Sequence, residues 1–223
     1  MKVKQSKFEG IFFINNKIAT LNTVPGYKPF NEEVVKISEK EYRIWDPYTS
    51  KPAAAIKNNI KNFPVIKGMK ILYLGIASAK TATYLSNIIG SEGLIYGIDI
   101  SQRVLRDAIP VAERYGNIVC ILGDCRKPET YEKIIVDRVD CVYCDIADPQ
   151  EIEIFIRNCE RFLKREGYGM VAVKSRSIDV TKNPRVIYKE TTKKLEENGF
   201  EIIDFVTLDP YEKDHGFFVV RFK

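Results

Sequence analysis

The chain has 223 residues, a formal net charge of +5 and 45% hydrophobic residues, an ordinary composition for a globular protein. No apolar run approaches the length that a bilayer requires, and "GIFFI" near the start is too short for a signal-peptide core. Five cysteines cannot all pair internally, which indicates a reducing compartment. We therefore expect a cytoplasmic protein that has no membrane association.

The first fifty residues predict a small β-rich unit. The stretches "GIFFI", "KIATLN" and "EYRIW" are apolar or β-branched, and turn signals separate them. They carry too little apolar mass for an independent core, so we expect this unit, residues 1–54, to pack on the rest of the chain. A helix over 52–63 follows, with Ser50 as a candidate cap and Pro52 in the first turn.

From Gly68 onward, strands alternate with helices, which predicts a parallel sheet covered on both faces. The last two strands have no helix between them, so the final strand is predicted to run antiparallel. The fold class is α/β, a Rossmann-like sheet of seven strands in a domain over residues 55–223. We expect strands at 70–75, 94–99, 118–123, 139–145, 168–174, 201–208 and 216–222, and helices at 80–89, 102–115, 128–135, 150–165 and 184–198.

The cysteines Cys141 and Cys144 have the spacing of a redox or zinc motif. They lie inside a predicted strand, where residues three apart point to opposite faces of the sheet. The sequence has no second pair with ligand spacing, so we expect two buried apolar cysteines and no metal site.

Three successive strands end in residues that suit a nucleotide site. Gly75 ends the first strand and leads into a loop of small residues that lacks the other glycines of the dinucleotide fingerprint. This favours a nucleoside cofactor without a phosphate, namely S-adenosylmethionine. Asp99 ends the second strand, where a carboxylate meets ribose hydroxyls, and Asp124 ends the third, where it could accept from an adenine amine. Taken singly, each acid is more often a cap or turn residue.

Four further polar residues are predicted to converge on the same edge of the sheet. Asp145 and Lys174 each end an apolar strand, and His215 precedes the final strand, whose start lies at that edge if it runs antiparallel. Lys51 ends the turn that precedes the predicted helix over 52–63. The competing interpretation is a buried structural ion pair between Lys174 and Asp145, with the histidine in an ordinary turn.

Two basic segments border this edge. Residues 47–80 contain six lysines and no acid, and basic residues outnumber acids over residues 174–194. Each segment alone is more often a solvated surface. Because both border the same edge, they favour a polyanionic substrate such as RNA.

Seven segments together resemble the fibrillarin family in its archaeal form. In chain order they are "YRIWDPYTSK", "YLGIASAKT", "YGIDISQRVLRD", "GDCRKPE", "YCDIADPQ", "KSRSIDVT" and "DPYEKDHGFFVV". The resemblance implies a class I methyltransferase fold and an S-adenosylmethionine-dependent ribose 2′-O-methyltransferase for rRNA, with tRNA as a second candidate substrate. It also implies direction by box C/D guide RNA and assembly with a Nop-type scaffold protein and a kink-turn-binding protein of the ribosomal L7 type.

The resemblance also implies the site residues. The Lys-Asp-Lys-His tetrad of the family corresponds to Lys51, Asp145, Lys174 and His215. The cofactor-binding positions of the family correspond to Gly75, Ala77, Lys80, Thr81, Asp99, Ile100, Asp124, Cys125, Asp145, Ile146, Ala147 and Asp148.

Two segments depart from the family pattern. The loop "ASAKT" stands where the family usually has "ASGTT", so Ala79 replaces a glycine and Lys80 a threonine. Alanine tolerates a positive φ poorly, and an amine close to a sulfonium would repel it. The segment "ADPQE" stands where the family usually has "AQPDQ", which puts the carboxylate of Asp148 in place of a glutamine.

The expected reaction is an in-line attack of a ribose 2′-hydroxyl on a sulfonium methyl group, with a nearby base taking the hydroxyl proton. We expect Lys174 to be the proton-transfer partner and Asp145 its orienting neighbour, with Lys51 and His215 holding the ribose or its phosphate. Lys174 can act so only when neutral, which requires burial or another cation nearby. Two alternatives stay open, a cofactor-poor structural subunit of the guide particle and a small-molecule O-methyltransferase.

Overall fold

The N-terminal residues form an antiparallel sheet of five short strands with the order β1-β2-β3-β5-β4. The computed structural model describes residues 2–223. In it the first strands are β1 (Val3–Gln5), β2 (Ile11–Ile14), β3 (Lys17–Leu21), β4 (Val34–Ile37) and β5 (Lys40–Ile44). The three apolar stretches predicted as strands form β2, β3 and β5, whereas β1 and β4 lie outside them.

The remainder of the chain forms a seven-stranded sheet with helices on both faces. Its elements are α1 (Lys51–Lys57), β6 (Lys70–Leu74), α2 (Lys80–Ile89), β7 (Leu94–Asp99), α3 (Gln102–Tyr115), β8 (Ile118–Leu122), β9 (Val139–Cys144), α4 (Glu151–Phe162), β10 (Leu163–Lys174), α5 (Ser175–Ile178), α6 (Pro184–Glu197), β11 (Phe200–Thr207) and β12 (His215–Phe222). The strand order is β11-β12-β10-β9-β6-β7-β8. The strands from β6 to β10 pair in parallel, and β12 pairs antiparallel with both β10 and β11, as predicted.

The two faces of this sheet carry separate hydrophobic clusters. Leu72 and Cys144 belong to one cluster, and Tyr73 and Cys141 belong to the other. The alternation explains why β6 and β9 are apolar runs without a polar face, since helices or the N-terminal sheet cover both sides. It also places the two cysteines on opposite faces, as predicted, and all five cysteines are free thiols.

The N-terminal sheet shares its core with one face of the large sheet. Trp45 lies in the same cluster as Tyr73 and stacks on Tyr84 of α2, with ring centroids 5.1 Å apart. The fully buried Arg43 forms an ion pair with Glu32 at 2.5 Å. The predicted division after residue 54 stays a prediction, and α1 runs through it.

Three predicted helices differ from those observed. The segment 128–135 is a 3-10 turn at Pro128–Thr130 followed by further turns, because its amides bond three residues back, as in Ile134 N to Tyr131 O at 3.0 Å. The helix predicted at 52–63 ends at Lys57, and Asn59 has the left-handed φ of 63°.

The third difference lies where α4 meets β10. The helix predicted to reach residue 165 ends at Phe162, and β10 begins at Leu163, five residues earlier than expected. Arg138 holds this turn by donating to the carbonyl of Leu163 at 2.7 Å, and the β9–β10 register shifts between Leu163 and Tyr168. Within residues 2–223, no helix combines the length and the apolar character that crossing a membrane requires.

Candidate active site

A cavity of about 330 Å³ lies at the carboxyl ends of β6, β7, β8 and β9. Ligands of open parallel sheets bind at this edge. Nine of the twelve predicted cofactor positions line it, whereas Ala77, Lys80 and Thr81 do not. The lining residues are Gly75, Asp99, Ile100, Asp124, Cys125, Arg126, Asp145, Ile146, Ala147, Asp148 and Ile154.

Gly75 allows the ends of β6 and β9 to approach each other. Its φ is +81°, and a Cβ added there would lie 2.4 Å from the carbonyl oxygen of Asp145. No side chain fits at that distance, so the first glycine of the loop is required by both space and conformation.

The loop after β6 uses left-handed backbone at two alanines. Ala77 has φ of 51° and Ala79 has φ of 64°, and Ala79 is the residue before the first turn of α2. The position at which the family pattern has glycine therefore does need a positive φ, and this chain adopts it with a Cβ in place. That conformation costs about 1–2 kcal/mol for a residue other than glycine.

The side chains of Lys80 and Thr81 point away from the cavity. The amine of Lys80 lies 5.7 Å from the ring centroid of Phe30, at a second cleft between the two sheets. The hydroxyl of Thr81 lies 2.9 Å from that of Ser50, which links the start of α2 to the start of α1. In this conformation the amine of Lys80 is therefore not among the groups that line the cavity.

The carboxylate of Asp99 organises the loops around the cavity. Its Oδ2 accepts from the amide of Ala77 at 3.0 Å, and its Oδ1 accepts from the amide of Ser101 at 2.9 Å. A carboxylate has about four acceptor sites, so both oxygens retain capacity for a ligand hydroxyl.

Asp124 is paired with Arg126, a lining residue that the sequence did not indicate. The guanidinium donates to both carboxylate oxygens, with Nε–Oδ1 and Nη2–Oδ2 distances of 2.9 Å. This hydrogen-bonded pair lowers the pKa of Asp124. Nearby, burial raises the pKa of the Cys125 thiol to about 12, so that part of the lining is a neutral thiol at physiological pH.

Asp145 is paired with Lys51, which corrects the expected pairing with Lys174. The amine of Lys51 lies 2.8 Å from Oδ1 of Asp145, and the hydroxyl of Tyr143 donates to Oδ2 at 3.1 Å. Lys174 is exposed, so the hypothesis of a buried Lys174–Asp145 ion pair is wrong. The physical reason is the sheet register, in which Val171 is opposite Cys144 and Lys174 extends beyond the level of Asp145.

His215 is buried at the start of β12, opposite Lys174 in the β10–β12 ladder. Its Nδ1 lies 2.7 Å from the carbonyl oxygen of Lys213. Because a carbonyl only accepts, Nδ1 carries the proton and Nε2 is the free acceptor of the neutral ring. Burial, and then the charge of Lys51, lower the pKa of His215, against the Lys213 hydrogen bond. This is a strand residue and not an ordinary turn histidine.

The fold thus brings the four predicted tetrad residues to one edge beside the cavity. The family model for fibrillarin matches residues 2–223 of this chain. The chain belongs to the fibrillarin family.

Individual family members match over nearly their full length. The chain is 50% identical over 226 residues to the fibrillarin-like rRNA/tRNA 2′-O-methyltransferase of Pyrococcus furiosus, covering 99% of each chain. It matches the crystal structure of Aeropyrum pernix fibrillarin in complex with natively bound S-adenosyl-L-methionine with a TM-score of 0.90, 41% identity and coverage of 99% and 98%. It also matches a chain of a fibrillarin/Nop5p complex with a TM-score of 0.88, 32% identity and coverage of 98% and 100%.

The sequence analysis did not predict three residues near this edge as site residues, namely Arg126, Ile154 and the buried Glu151. Arg126 could have been found from its place two residues after the strand-end acid Asp124. The signal for Glu151 was weaker: it is an acid where the family pattern has a glutamine, but an acid at the start of a helix is normally solvated. Within residues 2–223, no group of three or more histidine, cysteine, aspartate or glutamate side chains has the arrangement of a metal site.

The basic segments are less free than their sequence indicates. Lys67 and Lys70 pair with Glu92 and Asp137, which come from outside the segment 47–80. Similar pairs join four bases of residues 174–194 to acids, namely Arg176 to Asp214, Lys182 to Glu190, Lys193 to Glu197 and Lys194 to Glu153. Lys174, the last residue of β10, remains exposed.

Proposed function

We propose that this chain is an S-adenosylmethionine-dependent ribose 2′-O-methyltransferase of rRNA and tRNA, the catalytic subunit of a cytoplasmic box C/D ribonucleoprotein. The observation that carries the proposal is the cluster of the Lys51–Asp145 ion pair, the exposed Lys174 and the neutral His215 beside the strand-end cavity. The relative from P. furiosus bears the name of this activity, which supports the reaction class.

The residues around the cavity fit S-adenosylmethionine, which would supply the methyl group as a sulfonium. Gly75 leaves room for a close backbone approach, and Asp99 has acceptor capacity for ribose hydroxyls. Ile100 presents an exposed apolar side chain to the cavity, which suits the face of an adenine ring. The bound cofactor in the A. pernix relative supports this assignment.

In the proposed reaction, His215 is the proton acceptor. The 2′-oxygen bonds to the methyl carbon as the carbon–sulfur bond breaks, and Nε2 takes the hydroxyl proton. Asp145 fixes the amine of Lys51 at 2.8 Å, so that this cation can hold the ribose. Lys174 is exposed and suits the RNA phosphate better than the role of base, which revises the expectation drawn from the sequence.

The proposed partners follow from the same family. The fibrillarin/Nop5p complex among the matches supports a Nop-type scaffold protein as a partner of this chain. Box C/D guide RNA, target rRNA and a kink-turn-binding protein of the ribosomal L7 type complete the proposed particle. The odd number of free cysteines supports the cytoplasmic location.

The alternative of a cofactor-poor structural subunit is weakened by the position of Lys80. That alternative rested on the altered loop "ASAKT", in which Ala79 does adopt an unfavourable positive φ, whereas the amine of Lys80 lies over the Phe30 ring. Calorimetric titration with S-adenosylmethionine separates the two functions, because only the enzyme should bind it.

The full proposal is tested in a particle assembled from this chain, the Nop-type scaffold protein, the kink-turn-binding protein and a guide RNA. We expect transfer of one labelled methyl group to the 2′-hydroxyl that the guide selects, and a shift of the modified nucleotide when the guide sequence is moved. Cofactor binding without any guide-dependent methylation would contradict the proposed activity.

A further inference from the structure

Glu151, the first residue of α4, has a carboxyl group inside the protein with too few partners for a charge. The residue is 0% exposed. Its Oε1 accepts from the backbone amide of Lys174 at 3.1 Å, and its Oε2 is buried without a hydrogen-bond partner. An ionised carboxylate offers about four acceptor sites, and burying one with a single donor is far more costly than burying the neutral acid.

The charges around Glu151 act in the same direction as its burial. The charges of Asp145 and Asp148 raise the pKa of Glu151, and the Lys51 amine, whose charge lowers it, is already paired with Asp145. The Cys144 thiol, whose pKa burial and then the charge of Glu151 raise, adds no charge of its own. Burial first, and then Asp145, hold the pKa of Glu151 well above its ordinary value, against the Lys174 amide and Lys51.

The sequence places Glu151 where the family pattern has an amide. It is the last residue of "ADPQE", aligned with the second glutamine of "AQPDQ". A protonated carboxyl and a glutamine amide have nearly the same shape, and each offers one carbonyl acceptor and a donor. The neutral acid can therefore accept from the Lys174 amide as glutamine would, whereas an ionised one adds a third carboxylate to this edge.

We propose that Glu151 is a positioning residue that stays protonated at neutral pH and links the end of β10 to the start of α4. In its neutral form it does not compete with Asp145 for the Lys51 amine. The Lys174 amide to which it bonds belongs to the residue opposite His215, so its carboxyl supports two tetrad positions. Loss of its proton would place a second anion against the Lys51–Asp145 pair. The effect on catalysis rests on the proposed function, whereas the protonation state does not.

The protonation state is tested first, by infrared difference spectroscopy of the wild-type protein against Glu151→Gln at neutral pH. We expect the wild-type protein to show the C=O stretch of a protonated carboxyl and the variant to lack it. The control is Glu153→Gln on the same helix. Burial raises the pKa of Glu153, but the hydrogen bond from Lys194 and further interactions lower it overall, so no such band should be lost. Identical carboxyl bands in the wild-type protein and Glu151→Gln would overturn the proposal.

The pH dependence of stability gives a second readout that does not require activity. A carboxyl whose pKa is raised on folding contributes stability that is fully present below the unfolded pKa and lost as pH rises through the folded one. The melting temperature of Glu151→Gln minus that of the wild-type protein should therefore increase by several degrees as pH rises from about 5 to 9. A constant difference across that range would contradict a buried proton.

The positioning role is tested by single-turnover methylation in the assembled particle. We expect a wild-type rate that declines at alkaline pH, a Glu151→Gln rate without that decline, and a Glu151→Ala rate about tenfold lower at all pH values. Equal alkaline profiles for wild type and Glu151→Gln would reduce Glu151 to a purely structural residue. If the wild-type particle does not methylate RNA at all, the proposed function fails, while the infrared and melting experiments still decide the state of Glu151.

Discussion

At the residue scale, the loop after β6 shows how a single side chain can sit in an unfavourable conformation. Ala79 has φ of 64° and is fully buried, and its carbonyl accepts from the amide of Thr83 at 2.9 Å in the first turn of α2. The surrounding contacts therefore impose the left-handed backbone, although alanine disfavours it.

Replacement of Ala79 by glycine should stabilise the protein. Relief of the left-handed conformation is offset in part by the greater freedom of glycine in the unfolded chain, so the net gain should be up to about 1 kcal/mol. Urea denaturation measures the free energy of unfolding. As a matched control, Ala82→Gly inside α2 should destabilise by roughly 1 kcal/mol or more. A loss of stability in Ala79→Gly would show that the alanine methyl group has a packing role.

Asp99 has two duties that a pair of substitutions can separate. Asp99→Ala should weaken S-adenosylmethionine binding by about 1.5–3 kcal/mol, the value of a hydrogen bond to a charged group. It should also lower the melting temperature, since the amides of Ala77 and Ser101 lose their acceptor. Asp99→Asn keeps one acceptor oxygen, so its losses of cofactor affinity and of melting temperature should both be smaller. Unchanged cofactor affinity by calorimetry in Asp99→Ala would refute the ribose assignment.

His215 is the only histidine of the chain, so its titration can be followed in the NMR spectrum without assignment ambiguity. Its pKa is lowered from 6.5 by burial, so the ring should stay neutral to lower pH than in a peptide. Stability linked to this group is present above 6.5 and is lost as pH falls toward the folded pKa. The acid limb of single-turnover methylation should share the NMR midpoint, below 6.5. A midpoint above that value would contradict a buried neutral imidazole.

At the element scale, the site is assembled where α1 and the ends of β9, β10 and β12 meet. Asp145 follows β9 and receives Lys51 from the first turn of α1, whereas Lys174 from β10 faces solvent. The two lysines of the tetrad therefore differ in what they contribute to folding.

Lys51→Met and Lys174→Met should separate stability from catalysis. Lys51→Met leaves the partly buried Asp145 without its cation and should cost about 1–2 kcal/mol of unfolding free energy. Lys174→Met should leave the melting curve nearly unchanged and reduce turnover in the assembled particle through lost phosphate contact. Asp145→Asn combined with Lys51→Met should cost less than the sum of the single changes. A large loss of stability in Lys174→Met would contradict the exposed position of this side chain.

At the scale of the whole molecule, the positive charge that is free to bind a polyanion is smaller than the two basic segments suggest. Many bases of the two basic segments are already paired with acids of the same chain, which limits the affinity that they can give for a polyanion. Sequence-specific RNA recognition depends on unstacked bases or on a guide.

The isolated protein should therefore methylate RNA poorly and require its particle. We expect methylation of naked RNA by the chain alone to be slow and unselective, and addition of the scaffold protein, the kink-turn-binding protein and the guide to raise the rate at one nucleotide. Primer extension or mass spectrometry of the RNA locates the methyl groups. Robust site-selective methylation by the chain alone would overturn this expectation.

The seven-stranded sheet, the antiparallel last strand and the edge at which the polar residues meet were all predictable from the pattern of apolar and polar residues. Apolar runs with polar ends report local burial, and the carboxyl ends of parallel strands must share one edge. The opposite faces of Cys141 and Cys144 were also predictable, because side chains alternate along a strand. The early start of β10 was not, because it depends on Arg138, which is distant from Leu163 in the sequence.

Only the tertiary structure decided which charges meet. The sequence placed Asp145 and Lys174 at the ends of two strands. In the structure, the β9–β10 register puts Lys174 beyond the level of Asp145, and Lys51 of α1 pairs with Asp145 instead. Acids from other elements likewise pair with lysines of a segment that itself has no acid. Glu151 shows the same dependence on tertiary structure, since an acid at the start of a helix is ordinarily solvated and this one is fully buried. Electrostatic partners depend on three-dimensional proximity and burial, which sequence spacing does not encode.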